Sequence, residues 1–348
     1  MAVLDLVHIS HRYTRGGVLG GRQSNQVLFD VSLSLDAGST VALVGESGCG
    51  KTTLGKIAAD VVRPSEGSVC FGGRDVRRMS KAEYMAFRRA VQFIHQEPYA
   101  SLNPTRTVAD TLTAPLRRHK IARNRREALT KVDELLTLVG LTPVQDFRHK
   151  YPHQLSGGQR QRVSIARAVA LDPQVIVADE AVSMVDVSLR IGLLDLLLSL
   201  QRRLGIAYLF ISHDFGVVRY FAQGHTTAVM YLGHVVEIGP TEDVVGRPMH
   251  PYTQALIAAV PVPNPEMADL GRPLPVLEAE VPSTPGIIPG CPFHPRCPYA
   301  DDLSRSRVPV LEELAPGHRV ACFHARELIA GRLAPATPAE TRDAAAPL

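Results

Sequence analysis

The sequence predicts an α/β protein built around a mainly parallel β-sheet, with a helical subdomain inserted into that sheet and a small C-terminal extension. Three observations lead to this prediction. Strand-like apolar runs alternate with helical stretches along much of the chain, as they do in parallel sheets covered by helices. Helical patterns dominate residues 97–170, and prolines crowd the stretch after residue 260.

The individual elements follow from the spacing of the apolar residues. Alternating or continuously apolar runs predict strands, at 3–9, 28–35, 40–44, 67–71, 90–94, 175–178, 206–211 and 227–231. A glycine-rich loop follows the run at 40–44 and leads into a helix predicted at 52–60. A second helix is predicted at 188–204, and a third, at 125–139, carries its apolar residues on one stripe.

The density of prolines marks a domain boundary near residue 260. Ten of the 26 prolines lie between Pro261 and Pro295, and such density disfavours long helices and central strands. We therefore predict a first domain at 1–259 and an extension at 260–332. The weakly patterned tail at 333–348 is predicted to be disordered.

The composition excludes several classes of protein. Hydrophobic residues make up 45% of the 348 and charged residues 21%, which is ordinary for a globular protein. No apolar run of about 18 residues predicts a membrane span, and the N-terminus lacks a secretory pattern, so we expect a cytoplasmic location. The net charge of +4 and the absence of Trp give no reason to expect nucleic acid as a partner.

The glycine-rich loop fits the phosphate-binding pattern G-x-x-x-x-G-K-[ST]. Its residues are Gly45, Glu46, Ser47, Gly48, Cys49, Gly50, Lys51 and Thr52, and Thr53 follows. Glycines let the backbone N–H groups turn towards phosphate oxygens, and the helix that begins here adds its positive end. Lys51 can reach the outer phosphates, and the Thr52 hydroxyl can bind Mg²⁺. The alternative is an ordinary glycine-rich turn.

Two carboxylates end the apolar run at 175–178. Asp179 is of the kind that holds magnesium in nucleotide hydrolases with this loop. Glu180 follows it directly, and a carboxylate there can accept a proton from an attacking water. The alternative is a solvated strand end.

A third motif identifies the family. The residues Ser156, Gly157, Gly158 and Gln159, between Leu155 and Arg160, resemble the signature of ATP-binding-cassette ATPases. The resemblance implies the cassette fold, with an antiparallel N-terminal β part beside the mainly parallel core, and ATP and Mg²⁺ as cofactors. In this family two cassettes meet head to tail, so that the signature of one closes on the ATP held by the other.

The resemblance assigns roles to four further residues. Gln96 corresponds to the glutamine that touches magnesium and the attacking water, and His213 to the switch histidine near the γ-phosphate. Asp186 corresponds to the aspartate of the loop that crosses the dimer interface. Tyr13 is similar to the aromatic residue that stacks on adenine.

Three segments, at 96–104, 151–154 and 250–256, resemble one branch of the family, the ATPase subunits of oligopeptide, dipeptide and nickel importers. The branch implies a peripheral position on the cytoplasmic face of the cell membrane. It also implies a second ATPase subunit, identical or related, two permease subunits and an extracytoplasmic binding protein. Peptides are the expected cargo, with nickel, glutathione and haem as alternatives.

Two departures from the family pattern leave other readings open. Ala181 stands where the family usually has Pro, and Met184 lies in a changed Ser-Ala-Leu-Asp segment. An ATP-binding subunit with weak hydrolysis is therefore an alternative, although Glu180 and His213 are both present. A soluble cassette acting on ribosomes or DNA is a second alternative, but such proteins usually carry two cassettes or a long coiled coil.

The extension contains three cysteines, Cys291, Cys297 and Cys322. Members of this branch often have four cysteines here, and some hold a [4Fe–4S] cluster, so the resemblance implies a cluster. Ser304 stands at the position of the fourth cysteine. Zinc, with His294, His318 or His324 as the fourth ligand, and a stretch without metal are the alternatives.

Overall fold

A computed structural model describes residues 2–15, 23–259 and 288–333. Its strands are β1 (Ala2–Arg15), β2 (Gln23–Asp36), β3 (Thr40–Val44), β4 (Glu66–Phe71), β5 (Arg74–Asp75), β6 (Val91–Ile94), β7 (Val175–Asp179), β8 (Ala207–Ser212), β9 (Thr226–Tyr231), β10 (His234–Pro240), β11 (Glu312–Ala315) and β12 (His318–Val320). Its α-helices are α1 (Lys51–Ala58), α2 (Lys81–Ala90), α3 (Pro98–Ser101), α4 (Val108–Arg118), α5 (Arg125–Leu138), α6 (Gln145–Arg148), α7 (Gly157–Val169), α8 (Val187–Leu204), α9 (Phe215–Phe221), α10 (Thr241–Gly246), α11 (Pro251–Ala258), α12 (Asp302–Ser306) and α13 (Ala325–Ile329).

The strands form two sheets. The larger has eight strands in the order β11-β12-β10-β9-β3-β8-β7-β6. The five from β9 to β6 are parallel, and the other three join them antiparallel. The smaller sheet, in the order β2-β1-β4-β5, is antiparallel throughout. The predicted parallel core and antiparallel N-terminal part are therefore confirmed.

The central strands owe their position to continuous apolar sequence. β3, β7 and β8 are buried along their whole length, as parallel strands covered on both faces are. Val175 and Val177 pack with α1 and the small sheet. Their neighbours Ile176 and Ala178 point to the other face and pack with the helical insertion and α8.

The predicted helical insertion is present, as α3 to α7 between β6 and β7. Its longer helices begin at side chains that cap the first turn: Thr107 accepts the N–H of Asp110, and Asn124 accepts that of Glu127. Several predicted boundaries were wrong by one or two residues, among them the end of the helix predicted at 52–60, which ends at Ala58. Ala90 ends α2 instead of beginning a strand, so β6 starts one residue later.

The C-terminal extension joins the edge of the large sheet. β12 pairs with β10, and β11 pairs with β12, a role that the sequence did not predict. The buried carboxylate of Glu237 fastens this edge, because it accepts the N–H groups of Met249 at 2.8 Å and His250 at 3.0 Å and lies 2.8 Å from Nε2 of His318. The proposed boundary near 260 and most of the proposed tail fall in 260–287 and 334–348, outside the described residues. No helix in the described ranges has the length and apolar character needed to cross a membrane.

His250 gives the fold a dependence on pH. The side chain is 1% exposed, and its Nδ1 accepts the N–H of Tyr252 at 3.0 Å, so this nitrogen carries no proton. Burial, opposed by the nearby Glu237, lowers the pKa of His250 from 6.5 to about 4. The unfolded chain takes up its proton near the ordinary pKa, whereas the native ring resists protonation until about 4. The stabilisation is therefore complete above about 6.5 and is lost as the pH falls towards about 4.

We expect the free energy of unfolding to fall by up to about 3 kcal/mol across that window because of His250. Urea unfolding at a series of pH values measures it. In the His250→Asn variant the amide oxygen can accept the same N–H from Tyr252, and the titrating group is gone. The fall should then be smaller, and an unchanged pH dependence in the variant would contradict this role of His250.

Candidate functional site

The glycine-rich loop lies at the carboxyl end of β3 and depends on two of its glycines. A Cβ atom at Gly45 would lie 2.1 Å from the carbonyl oxygen of Met230. Gly50 has a φ of 105°, and a Cβ atom there would lie 2.9 Å from the side chain of Leu28. Only glycine fits such positions without displacing backbone or core, so the loop is tightly seated between β2 and β9.

Lys51 is held inside this loop. Its side chain is 5% exposed, and Nζ donates to the carbonyl oxygens of Gly45 at 2.7 Å and Glu46 at 2.8 Å. Cys49, beside it, is buried, and burial raises the pKa of its thiol while Lys51 lowers it. The ammonium group therefore provides a fixed positive charge at the start of α1, where the helix dipole also favours anions.

Thr52 and Asp179 meet across two neighbouring elements. The Thr52 hydroxyl donates to Oδ1 of Asp179 at 3.0 Å. Asp179 is buried at the end of β7, and burial raises its pKa while the hydrogen bond from Thr52 lowers it. One hydroxyl and one carboxylate, completed by phosphate oxygens and water, are the ligands that Mg²⁺ commonly takes in nucleotide sites. The pair therefore fits the predicted magnesium site.

The side chain of Glu180 is held in place by contacts with two other side chains. Its carboxylate accepts the amide of Gln96 at 2.7 Å and lies 3.1 Å from Nδ1 of His213. The backbone contributes as well, because Glu180 has a φ of 46° and its N–H donates to the carbonyl oxygen of Ile211 at 3.0 Å. Such a left-handed backbone conformation costs free energy for residues other than Gly, Asn or Asp. The three predicted catalytic residues, Glu180, Gln96 and His213, thus form one cluster.

Tyr13 lies on β1 of the small sheet, next to the phosphate loop. Its hydroxyl is 3.4 Å from that of Thr53, and its ring meets His11 edge to face at 4.6 Å between centroids. The side chain is 44% exposed. A partly exposed ring beside the phosphate loop can stack on a flat aromatic ligand.

The signature residues lie at the N-terminal end of α7, apart from the phosphate loop. Ser156 caps α7 by accepting the N–H of Gln159, whose side chain accepts the N–H of Ser156 in return. The Cβ positions of Gly157 and Gly158 come close to Met184 and Leu189 rather than to the phosphate loop. Asp186 is exposed at the start of α8. In the described part of the chain, no hydrogen bond or ion pair joins the four signature residues to the phosphate loop.

Sequence reasoning missed a contact between the phosphate loop and the C-terminal part of the chain. The guanidinium of Arg296 donates to both carboxylate oxygens of Glu46, at 2.9 and 3.0 Å. The N–H of Glu46 donates to the hydroxyl of Tyr252 at 2.8 Å. The only sequence feature that could have indicated this contact is the basic residue Arg296 between Cys291 and Cys297. The family resemblance assigned that segment to metal binding instead.

The predicted metal at the three cysteines is not supported. No group of three His, Cys, Asp or Glu side chains suited to a metal ion occurs within the described ranges. Ser304, at the fourth position, is engaged with Asp301, donating to its carbonyl oxygen and accepting its N–H, both at 2.8 Å. The described residues therefore give no evidence for the predicted [4Fe–4S] cluster or for the zinc alternative.

Comparison with known families matches two parts of the chain. Residues 28–183 match the model described as "ABC transporter". Residues 236–303 match the model described as "Oligopeptide/dipeptide transporter, C-terminal region". The first match contains the phosphate loop, the signature and Glu180, and the second contains Tyr252, Arg296 and two of the three cysteines.

Curated relatives match the chain over most of its length. A probable peptide ABC transporter ATP-binding protein of Sinorhizobium fredii is 46% identical over 307 residues, which cover 88% of this chain and 84% of the relative. A di/tripeptide transport ATP-binding protein of Pseudomonas aeruginosa is 42% identical over 319 residues, covering 92% and 96%. A dimeric ATP-binding cassette solved after hydrolysis, bound to ADP and Pi, superimposes with a TM-score of 0.60 at 28% identity, covering 68% of this chain and 98% of that one.

Proposed function

Because the chain belongs to the family of ABC transporter ATP-binding proteins, whose members hydrolyse ATP to drive transport, we propose that it powers the import of peptides. Two observations support this cargo class. The described relatives are named for peptide transport, and the C-terminal part matches a family region named for oligopeptides and dipeptides. Nickel, glutathione and haem are the alternative cargoes implied by the branch.

The cluster at Glu180 carries the proposed chemistry. In this proposal the loop N–H groups and Lys51 bind the phosphates of ATP, and Thr52, Asp179 and Gln96 lie where Mg²⁺ is held. Mg²⁺, when bound, neutralises charge that develops on the phosphate oxygens. Glu180 accepts the proton of the attacking water, and Gln96 and His213 orient its carboxylate. The presence of this intact cluster argues against the weakly hydrolysing alternative.

A second cassette completes the proposed site. Ser156, Gly157, Gly158 and Gln159 form an anion-binding helix end that their own phosphate loop does not use, and Asp186 is exposed close by. A partner cassette, identical or related, can supply its signature to this loop and receive this signature in exchange. The similarity to a dimeric cassette supports this arrangement.

The proposed assembly also includes two membrane permeases and an extracytoplasmic binding protein, with this chain on the cytoplasmic face of the membrane. Purification of the tagged chain from gently solubilised membranes, followed by mass spectrometry of its partners, tests this proposal. Recovery of two permeases and a second cassette is the expected result. Recovery with ribosomal proteins, or without permeases, would contradict it.

Tyr13 is proposed to stack on the adenine ring. Replacing Tyr13 with Ala should weaken ATP binding by about 3- to 10-fold, since an aromatic contact contributes roughly 0.5–1.5 kcal/mol. Tyr13→Phe keeps the ring and loses only the hydroxyl near Thr53, so it serves as the matched control and should bind as wild type does. Equilibrium titration with ATP measures both variants. Equal affinity of the Ala and Phe variants would remove Tyr13 from the site.

A further inference from the structure

Glu46 places a carboxylate inside a loop built to bind anions. The loop attracts phosphates through its N–H groups, the end of α1 and Lys51, and an unpaired carboxylate there would repel them. Glu46 forms an ion pair with Arg296, which lies 250 residues later in the sequence. The ion pair is two-pronged, and the side chains are only 14% (Arg296) and 26% (Glu46) exposed, so solvent screens it less than a surface pair.

The C-terminal part of the chain holds Arg296 in place for this contact. Arg296 ends the short 3₁₀ turn His294–Arg296. Its guanidinium lies over the ring of Tyr231 at 5.7 Å and that of Phe293 at 5.9 Å. Phe293 is 1% exposed and packs against Tyr252 at 5.5 Å between ring centroids. Two aromatic rings and a packed turn therefore fix the guanidinium before any nucleotide arrives.

Tyr252 links the same aromatic group to the backbone of the loop. Its hydroxyl accepts the N–H of Glu46, and its side chain is 1% exposed. Glu46 is thus held at both its backbone and its carboxylate by residues that follow β10 in the sequence. Burial lowers the pKa of Arg296, but the hydrogen bonds that it donates to Glu46 and the charge of that carboxylate outweigh this effect and raise the pKa. Arg296 therefore keeps its positive charge beside the loop.

We propose that Arg296 is a positioning residue for the phosphate loop: it neutralises and orients Glu46, and so lets the C-terminal extension set the affinity for ATP. This inference rests on the proposed nucleotide site. A structural role alone would make every disruption of the pair weaken binding. The electrostatic role predicts instead that the defect caused by loss of Arg296 depends on the charge of Glu46.

The test compares four forms of the full chain by calorimetric titration with a non-hydrolysable ATP analogue and Mg²⁺. Arg296→Gln should bind roughly tenfold more weakly, which is the effect of one unit charge about 10 Å away at an effective dielectric constant of about 20. Glu46→Gln should bind at least as tightly as wild type. The double variant should return to within about threefold of Glu46→Gln. In hydrolysis assays, Arg296→Gln should raise KM for ATP with kcat within about twofold.

Three results would overturn the proposal. One is unchanged affinity of Arg296→Gln, and another is a double variant that binds as weakly as Arg296→Gln or more weakly. If Arg296→Gln does not fold, Arg296→Lys replaces it in the test, because Lys keeps the positive charge. The affinity of Arg296→Lys for the ATP analogue should stay within about threefold of wild type. A tenfold loss of affinity in the folded Arg296→Lys variant is the third contradicting result. Absence of binding by the wild-type chain would instead overturn the proposed nucleotide site, and the role of Arg296 with it.

Discussion

Replacing Glu180 with Gln should lower the rate of ATP hydrolysis by about 10²- to 10⁴-fold and leave ATP binding nearly unchanged. An amide has the shape of the carboxylate and can still form hydrogen bonds with Gln96 and His213, but it cannot accept the proton of the attacking water. Steady-state phosphate release measures the rate, and equilibrium titration measures the binding. The separation of the two effects is the expected signature of a general base.

A matched control distinguishes the loss of this group from a general change of charge. Glu134 is an exposed carboxylate on α5, so Glu134→Gln makes the same chemical change outside the site. That variant should hydrolyse ATP at the wild-type rate. Unchanged turnover in Glu180→Gln would contradict the assignment of Glu180 as the base.

Replacing Gly45 with Ala should abolish the phosphate site. The added Cβ atom would lie 2.1 Å from the carbonyl oxygen of Met230 and 2.9 Å from Sγ of Cys49, and neither the sheet backbone nor the buried loop can move away without cost. We expect the free energy of unfolding to fall by about 3 kcal/mol or more and the affinity for ATP to fall by roughly 100-fold or more. Urea unfolding and equilibrium titration test the two effects.

Gly48 in the same loop is the control for this substitution. It has a φ of +84°, but a Cβ atom there would meet nothing within 4 Å. Gly48→Ala should therefore cost only the strain of a left-handed residue, about 1–2 kcal/mol. Equal losses of stability in the two variants would show that the close approach to Met230 does not determine the requirement for glycine at position 45.

The residues of the proposed site centre could be expected from the sequence to lie together because the fold brings strand ends together. Thr52 lies beyond β3, Glu180 follows Asp179 at the end of β7, and His213 follows β8. These three strands are neighbours in the sheet. The carboxyl ends of parallel strands meet at one edge, where α/β proteins bind ligands. Gln96 follows β6, the next strand along. The position of each motif after a parallel strand is therefore enough to predict that these residues lie close together in space.

The part that escaped prediction depends on contacts without a periodic signal. Arg296 and Glu46 are separated by 250 residues, and neither belongs to a pattern that identifies the other. The strands β11 and β12 have four and three residues, too short for alternation to stand out. The cysteines suggested a metal site. In the structure, Cys291 and Cys297 are instead buried with Phe293 in a hydrophobic cluster that packs beside Arg296.

Uptake of labelled peptides by living cells is the measurement that tests the central claim most directly. Cells with Glu180→Gln in place of the wild-type gene are compared with wild-type cells and with cells that lack the gene, using di- and oligopeptides carrying a heavy isotope. The account predicts that wild-type cells accumulate at least one class of peptide and that the variant falls to the level of the deletion at equal protein abundance. Undiminished accumulation of every peptide in the variant would contradict the claim that ATP hydrolysis at this site powers peptide import.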